Sequence, residues 1–148
     1  MTNYLLDSNY WWGYEVTLFK SIIFCLDSQT TELLYFRMLR QYHRRECQDF
    51  VLIQIADILT EFIFKGIGTR KNMVKLLQDI ENALDIFVGR KCYSAKNKIL
   101  FLEGLCLILV GDKQKGATLV DHAIAVAVYV DDVEEKLFFK QMLKKYVT

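Results

Sequence analysis

Gln54, Asp57 and Glu61 fall at i, i+3 and i+7, so on a helix one amide and two carboxylates share a narrow stripe. Such a row of acceptors does one of two things. It forms a solvated helix edge, or it lines a groove and accepts hydrogen bonds from an extended peptide. Further along the chain Lys98, Phe101, Leu105 and Ile108 combine one cation with three apolar side chains. An apolar floor with a few polar groups at its rim suits a short hydrophobic ligand, whose direction the polar groups would fix.

Other reactive residues give less. His43 and His122 are the two histidines, and His122 neighbours Asp121 in sequence, but adjacent residues on a helix point about 100° apart. No serine or cysteine is spaced to complete a nucleophile with either. Gly66-Ile67-Gly68 follows a helical stretch rather than a strand, so it reads as a helix stop and not a phosphate loop. Cys25, Cys47, Cys92 and Cys106 form no C-x-x-C pair and lie in or beside apolar runs, as buried free thiols do. The expectation is a protein that is not an enzyme and has neither cofactor nor metal.

Arg37, Arg40, Arg44 and Arg45 cluster with His43 near one helix end, where cations are favoured by the helix dipole. The alternative is contact with a phosphate or an acidic partner. Net charge is +1, so no global field draws the chain onto nucleic acid. Tyr10, Trp11, Trp12 and Tyr14 gather at the start of another helix. They either cover the end of a helical stack or form an interface. With Phe138, Met142 and Tyr146 of the apolar last helix, Trp11 and Trp12 are the candidates for a homodimer contact.

Helices must position these groups. The 148 residues contain no proline, which fits successive helices joined by short turns, and 53% are hydrophobic, which argues against disorder. Seven helices can be read: about Tyr10–Leu26, Gln29–Arg45 capped by Asp27-Ser28, Gln48–Phe64 ending at Lys65-Gly66-Ile67-Gly68, Arg70–Val88 capped by Thr69, Ser94–Val110, Asp112–Val130, and a last one from Asp131-Asp132 to near Tyr146. In the fourth, Met73, Leu76, Leu77, Ile80, Ala83, Leu84, Phe87 and Val88 make one apolar stripe, the mark of an outer helix. The third and fifth are apolar nearly all round and must pack on several sides. The fold expected is all-α, one domain over residues 1–148: a right-handed stack of antiparallel hairpins pairing helices one with two, three with four and five with six, closed by a C-terminal capping helix. Val16–Leu26 and Ile99–Val110 are too short to span a bilayer, so a cytoplasmic protein without membrane contact is expected.

Leu100, Gly104, Leu107, Gly116, Val120 and Ala123 have the spacing of a tetratricopeptide-like repeat. Glycines at 104 and 116 would let two helices approach closely, with Val120 and Ala123 in the seam. In that register Phe101, Leu105 and Ile108 face the concave side.

Two segments carry a family resemblance. Trp12, Tyr14-Glu15, Leu18-Phe19 and Asp27 resemble the opening of the repeat domain of the Rgg/GadR/MutR regulators of Gram-positive bacteria. Lys98 to Ala125 is similar to that family's closing hairpin, with Phe-Leu-x-Gly-Leu, Gly-Asp-Lys-x-Lys-Gly and Leu-x-x-x-Ala-Ile runs. Lys20-Ser21 departs from the pattern, which has a small residue and an amide after Leu-Phe. The resemblance implies a transcription regulator whose helical repeats dimerise and sense a short hydrophobic signalling peptide. Such regulators carry an N-terminal helix-turn-helix and about twice this length, so an expressed fragment or a naturally truncated frame is expected, without DNA binding of its own. The alternative is a stand-alone interaction module that modulates an intact regulator and binds no peptide.

Overall fold

In a computed structural model, residues 1–69 and 72–147 are described, and they are helical with no strand among them. The helices are α1 (Thr2–Asp7), α2 (Gly13–Ile22), α3 (Ser28–Tyr42), α4 (Asp49–Gly68), α5 (Met73–Phe87), α6 (Tyr93–Val110), α7 (Lys113–Tyr129) and α8 (Val133–Val147), with a 3-10 turn over Ile23–Cys25. The expected all-α repeat architecture is present. α2, α4, α6 and α8 pack successively in a row, and the intervening helices back it: α3 and α5 on α4, α5 and α7 on α6. α6 touches α4, α5, α7 and α8. That is why its sequence is apolar nearly all round.

Local signals set most of the boundaries. The Asp27 carboxylate accepts the Thr30 N–H at 2.7 Å and starts α3. Asn72 does the same for α5 through the Val74 N–H at 2.9 Å. The expected start of that helix at Arg70 lies outside the described residues, while Thr69 instead closes α4, its hydroxyl donating to the Lys65 carbonyl. Gly111, at φ 114°, ends α6, with the Asp112 N–H returning to the Leu107 carbonyl at 2.9 Å.

Three expectations are corrected. α4 does not end at Phe64 before Lys65-Gly66-Ile67-Gly68 but includes those four residues. Gly66 is a packing residue: a Cβ there would lie 2.7 Å from the Leu76 side chain of α5. The Lys65 ammonium reaches across to the carbonyls of Ile23 and Leu26 and to the Thr31 hydroxyl, capping the 3-10 turn. Secondly, the chain begins with an unanticipated helix, α1, and Tyr10–Trp12 precede α2 rather than belonging to it. Glu15 holds this corner, accepting the Trp12 N–H and the Tyr4 hydroxyl, each at 2.7 Å. Thirdly, Cys25 is exposed and Cys47 half-buried, while Cys92 and Cys106 are buried as expected. Burial pushes the Cys106 thiol up to about 12, so it stays protonated.

Two of the four clustered arginines are structural. Arg37 donates to the Ser8 carbonyl, and Arg45 to that of Trp11 at 2.6 Å. The Arg45 guanidinium also lies 4.0 Å from the centre of the Tyr10 ring and 4.5 Å from that of Tyr42. α3 thus anchors the N-terminal segment, a role absent from both readings of the cluster.

Candidate functional site

The acceptor stripe on α4 opens onto a cavity. Two of its three residues meet a neighbour in the row. Gln54 pairs with the Thr17 hydroxyl of α2 at 2.7 Å. One turn on, Asp57 accepts the Lys20 ammonium of α2 at 2.9 Å and the Lys98 ammonium of α6 at 2.5 Å. One carboxylate thereby ties three helices together. Glu61, a turn further, points into open space.

That space is a cavity of about 600 Å³ whose walls come from α2 and its 3-10 turn, α4, α6 and the start of α8. Lys20, Asp57, Glu61 and Lys98 line it with Ile23, Phe24 and Phe138, and Asp132, Glu134 and Glu135 close the α8 end. Two lysines therefore face five carboxylates. Asp132 caps α8 through the Glu135 N–H at 3.0 Å, and acids in a first helical turn are favoured by the dipole.

Burial alone would push the Asp57 carboxyl up, but hydrogen bonds and charge from Lys98 and Lys20 outweigh it and hold the group below its ordinary 3.8. Glu135 is the opposite case: burial, then the Asp132 charge, push it up, and the Asn97 amide and Lys98 only partly offset them. Asp57→Asn would leave two lysines facing each other without a counter-charge. The expected loss is about 1–3 kcal/mol in urea unfolding at neutral pH. The sign with pH follows from the lowered value. The wild-type advantage is present above the ordinary carboxylate value and disappears as pH falls through the folded one. A wild-type-to-variant gap that grows on acidification would contradict the clamp.

The other expected floor residues lie elsewhere. Phe101 and Leu105 are fully enclosed. The Phe101 ring stacks on Phe139 of α8, centroids 4.2 Å apart and planes within 11°. Ile108 sits in the seam with α7, where a Cβ on Gly116 would come within 2.7 Å of it. This part of the groove expectation is corrected, because α8 covers Phe101 and α7 takes up Ile108. Glu103 lies away from the cavity. Burial raises its carboxyl, with Lys115 of α7 and Glu81 of α5 as its charged neighbours.

Among the expected interface residues, Trp11 is fully buried, its indole N–H donating to the Leu5 carbonyl at 3.2 Å, so it is core. Trp12 is 64% exposed. Tyr146 is half-buried and stacks on Phe64, centroids 5.4 Å apart; Met142 is also half-buried, and Phe138 faces the cavity.

Sequence reasoning passed over Lys20, Phe24, Thr60, Ser94 and the acidic start of α8. Lys20 carried a signal, as the single cation inside the apolar run Val16–Leu26. The others show no pattern until α8 is brought beside α4. Among the described residues no group of three or more His, Cys, Asp or Glu is placed to hold a metal ion, and no helix is long and apolar enough to cross a membrane.

A row of layered helices without strands among the described residues is the architecture of an all-α helical-repeat domain. Residues 1–141 match the C-terminal domain of the helix-turn-helix-type transcriptional regulator Rgg, and the chain belongs to that family. It is thus a transcription-regulator domain. A comparison with curated proteins gave no match.

Proposed function

We propose that this chain is a peptide-sensing and dimerising domain of an Rgg-like regulator, and that the cavity along α2, α4, α6 and α8 is where a short hydrophobic peptide binds. One observation carries the reading. The cavity has the volume typical of ligand sites, roughly 300–1,000 Å³, and its walls come from every helix of the row. An occupant would touch all four helices at once. Binding would then favour one packing of the hairpins over another and change the spacing of the two copies in a dimer.

The test is fluorescence anisotropy of labelled five- to ten-residue apolar peptides, including those encoded beside the gene. Saturable binding to the wild type is expected, with a loss of about tenfold or more in Ser94→Trp. Ser94 is an exposed wall residue, so a bulky ring there fills space without entering the core. Binding that ignores this variant would remove the peptide from the cavity.

Dimerisation is supported by the corner where α7 meets α8. Tyr129, Val130, Val133 and Leu137 are each at least half exposed there, a cluster of apolar side chains of the kind that marks an interface. Light scattering at high micromolar concentration should give about twice the 17.4 kDa chain mass. Leu137→Asp should return the monomer. A monomeric wild type at that concentration would end this part of the reading.

A further inference from the structure

The charges around the cavity are unevenly matched. Both lysines that line it, Lys20 and Lys98, are already bonded to one carboxylate, Asp57. Of the four remaining carboxylates, Asp132, Glu134 and Glu135 stand at the start of α8, and Glu61 lines the same cavity from α4. Among the described residues neither Glu61 nor Glu134 forms an ion pair. Glu135 is the unusual member: it is only 9% exposed yet lines the cavity, and burial already works against its charge. The dipole of α8 favours acids at its start but does not call for a buried one facing a cavity. Beside these groups stand the apolar walls, Ile23 and Phe24 on the α2 side and Phe138 on α8.

From this juxtaposition we infer that the cavity selects a peptide bearing a positively charged nitrogen, which Glu61, Glu134 and Glu135 receive at the α8 end while its apolar side chains lie along Phe24 and Phe138. The inference rests on the peptide-site reading above and specifies the ligand's chemistry. An ammonium entering there would replace lost hydration of Glu135 with a charge-assisted hydrogen bond, which is stronger than a neutral one. A carboxylate at the same end would meet an excess of like charge, and rejection of the wrong ligand is as much a part of specificity as attraction of the right one. The positive nitrogen can be a free N-terminal amine or a Lys or Arg side chain; both present donors and no acceptor.

The test uses one C-terminally amidated five-residue peptide of leucine, serine and phenylalanine in four versions: free N-terminal amine, N-acetylated, N-acetylated with one lysine, and N-acetylated with one glutamate. Calorimetry with the full chain is expected to show each version that carries a positive nitrogen binding about tenfold tighter than the neutral acetylated one, and the glutamate version weakest. The amine and lysine arms separate the two sources of charge. In the double variant Glu61→Gln, Glu134→Gln, both exposed positions, the preference should shrink at least severalfold. Glu135→Gln should reduce it further, and circular dichroism of each variant checks that the helices are retained. Raising salt should narrow the gap between charged and neutral versions. If all four versions bind equally, or the glutamate version binds best, the charge inference is overturned and the peptide site stands. If none of the four binds, or all bind unchanged to Ser94→Trp, both readings fall.

Discussion

Gly116→Val is expected to lower the unfolding free energy by about 3 kcal/mol or to prevent folding of the C-terminal hairpin. α6 and α7 touch backbone to backbone at this point. A Cβ on Gly116 would lie 2.6 Å from the Gly104 carbonyl oxygen and 2.7 Å from the Ile108 nitrogen, and one on Gly104 would lie 2.8 Å from the Gly116 carbonyl oxygen. Backbone cannot swing aside as a side chain can, so the two helices would have to part along their whole contact. That contact is the most extensive between any two helices. Gly68→Ala is the control, since a Cβ there meets nothing within 4 Å. It should be neutral or stabilise by up to about 1 kcal/mol through helix propensity. Urea midpoints of the two variants measure both effects. A Gly116→Val chain as stable as the wild type would mean that the close approach is absent in solution.

Phe101→Ala is expected to cost about 3–5 kcal/mol, as for a large aromatic removed from a core. The ring is fully buried and stacked on Phe139, so its deletion leaves a void between α6 and α8 that neither helix can close without moving the other. Phe138→Ala, one residue from Phe139 but in the cavity wall, should cost much less stability and should instead weaken peptide binding. Thermal melts and anisotropy of the two variants separate the roles. If Phe101→Ala melted like the wild type and lost peptide affinity, the ring would be a groove floor after all.

The two variants also mark how far one-dimensional reasoning reached. Helix stripes, glycine spacing and near-continuous apolar runs are local records of how many neighbours each helix has. They therefore gave the all-α hairpin array, and the Gly104–Gly116 contact followed from small residues at the right interval. The Gln54, Asp57 and Glu61 stripe was legible for the same reason, since the periodicity of a single helix fixes it. Asp57 and Glu61 do line the cavity.

The misassigned residues share one physical cause. Phe101, Leu105 and Trp11 are apolar side chains whose exposure depends on whether another segment lies over them, and no local pattern records that. α8 covers Phe101 through Phe139, and α1 folds back so that Leu5 takes the Trp11 indole N–H. Asp79 shows the same effect in reverse. It lies outside the apolar stripe of α5, yet it is 4% exposed, and its backbone carbonyl accepts the Tyr35 hydroxyl at 3.1 Å.

The class of fold, the inner and outer character of the helices, the glycine seam and one polar stripe are legible in the order of residues alone. All of these are set by periodicity within a helix and by the space a residue leaves at its own Cα. Helix packing in three dimensions is what makes Lys20 and Lys98 share Asp57, closes one face of α6 with α8, and lets the acidic first turn of α8 complete a cavity begun by α4. Those facts join residues about forty positions apart or more, such as Lys20 with Asp57 and Asp57 with Lys98. They depend on the angle at which whole helices pack, which is the sum of many weak side-chain contacts and is written in no single segment.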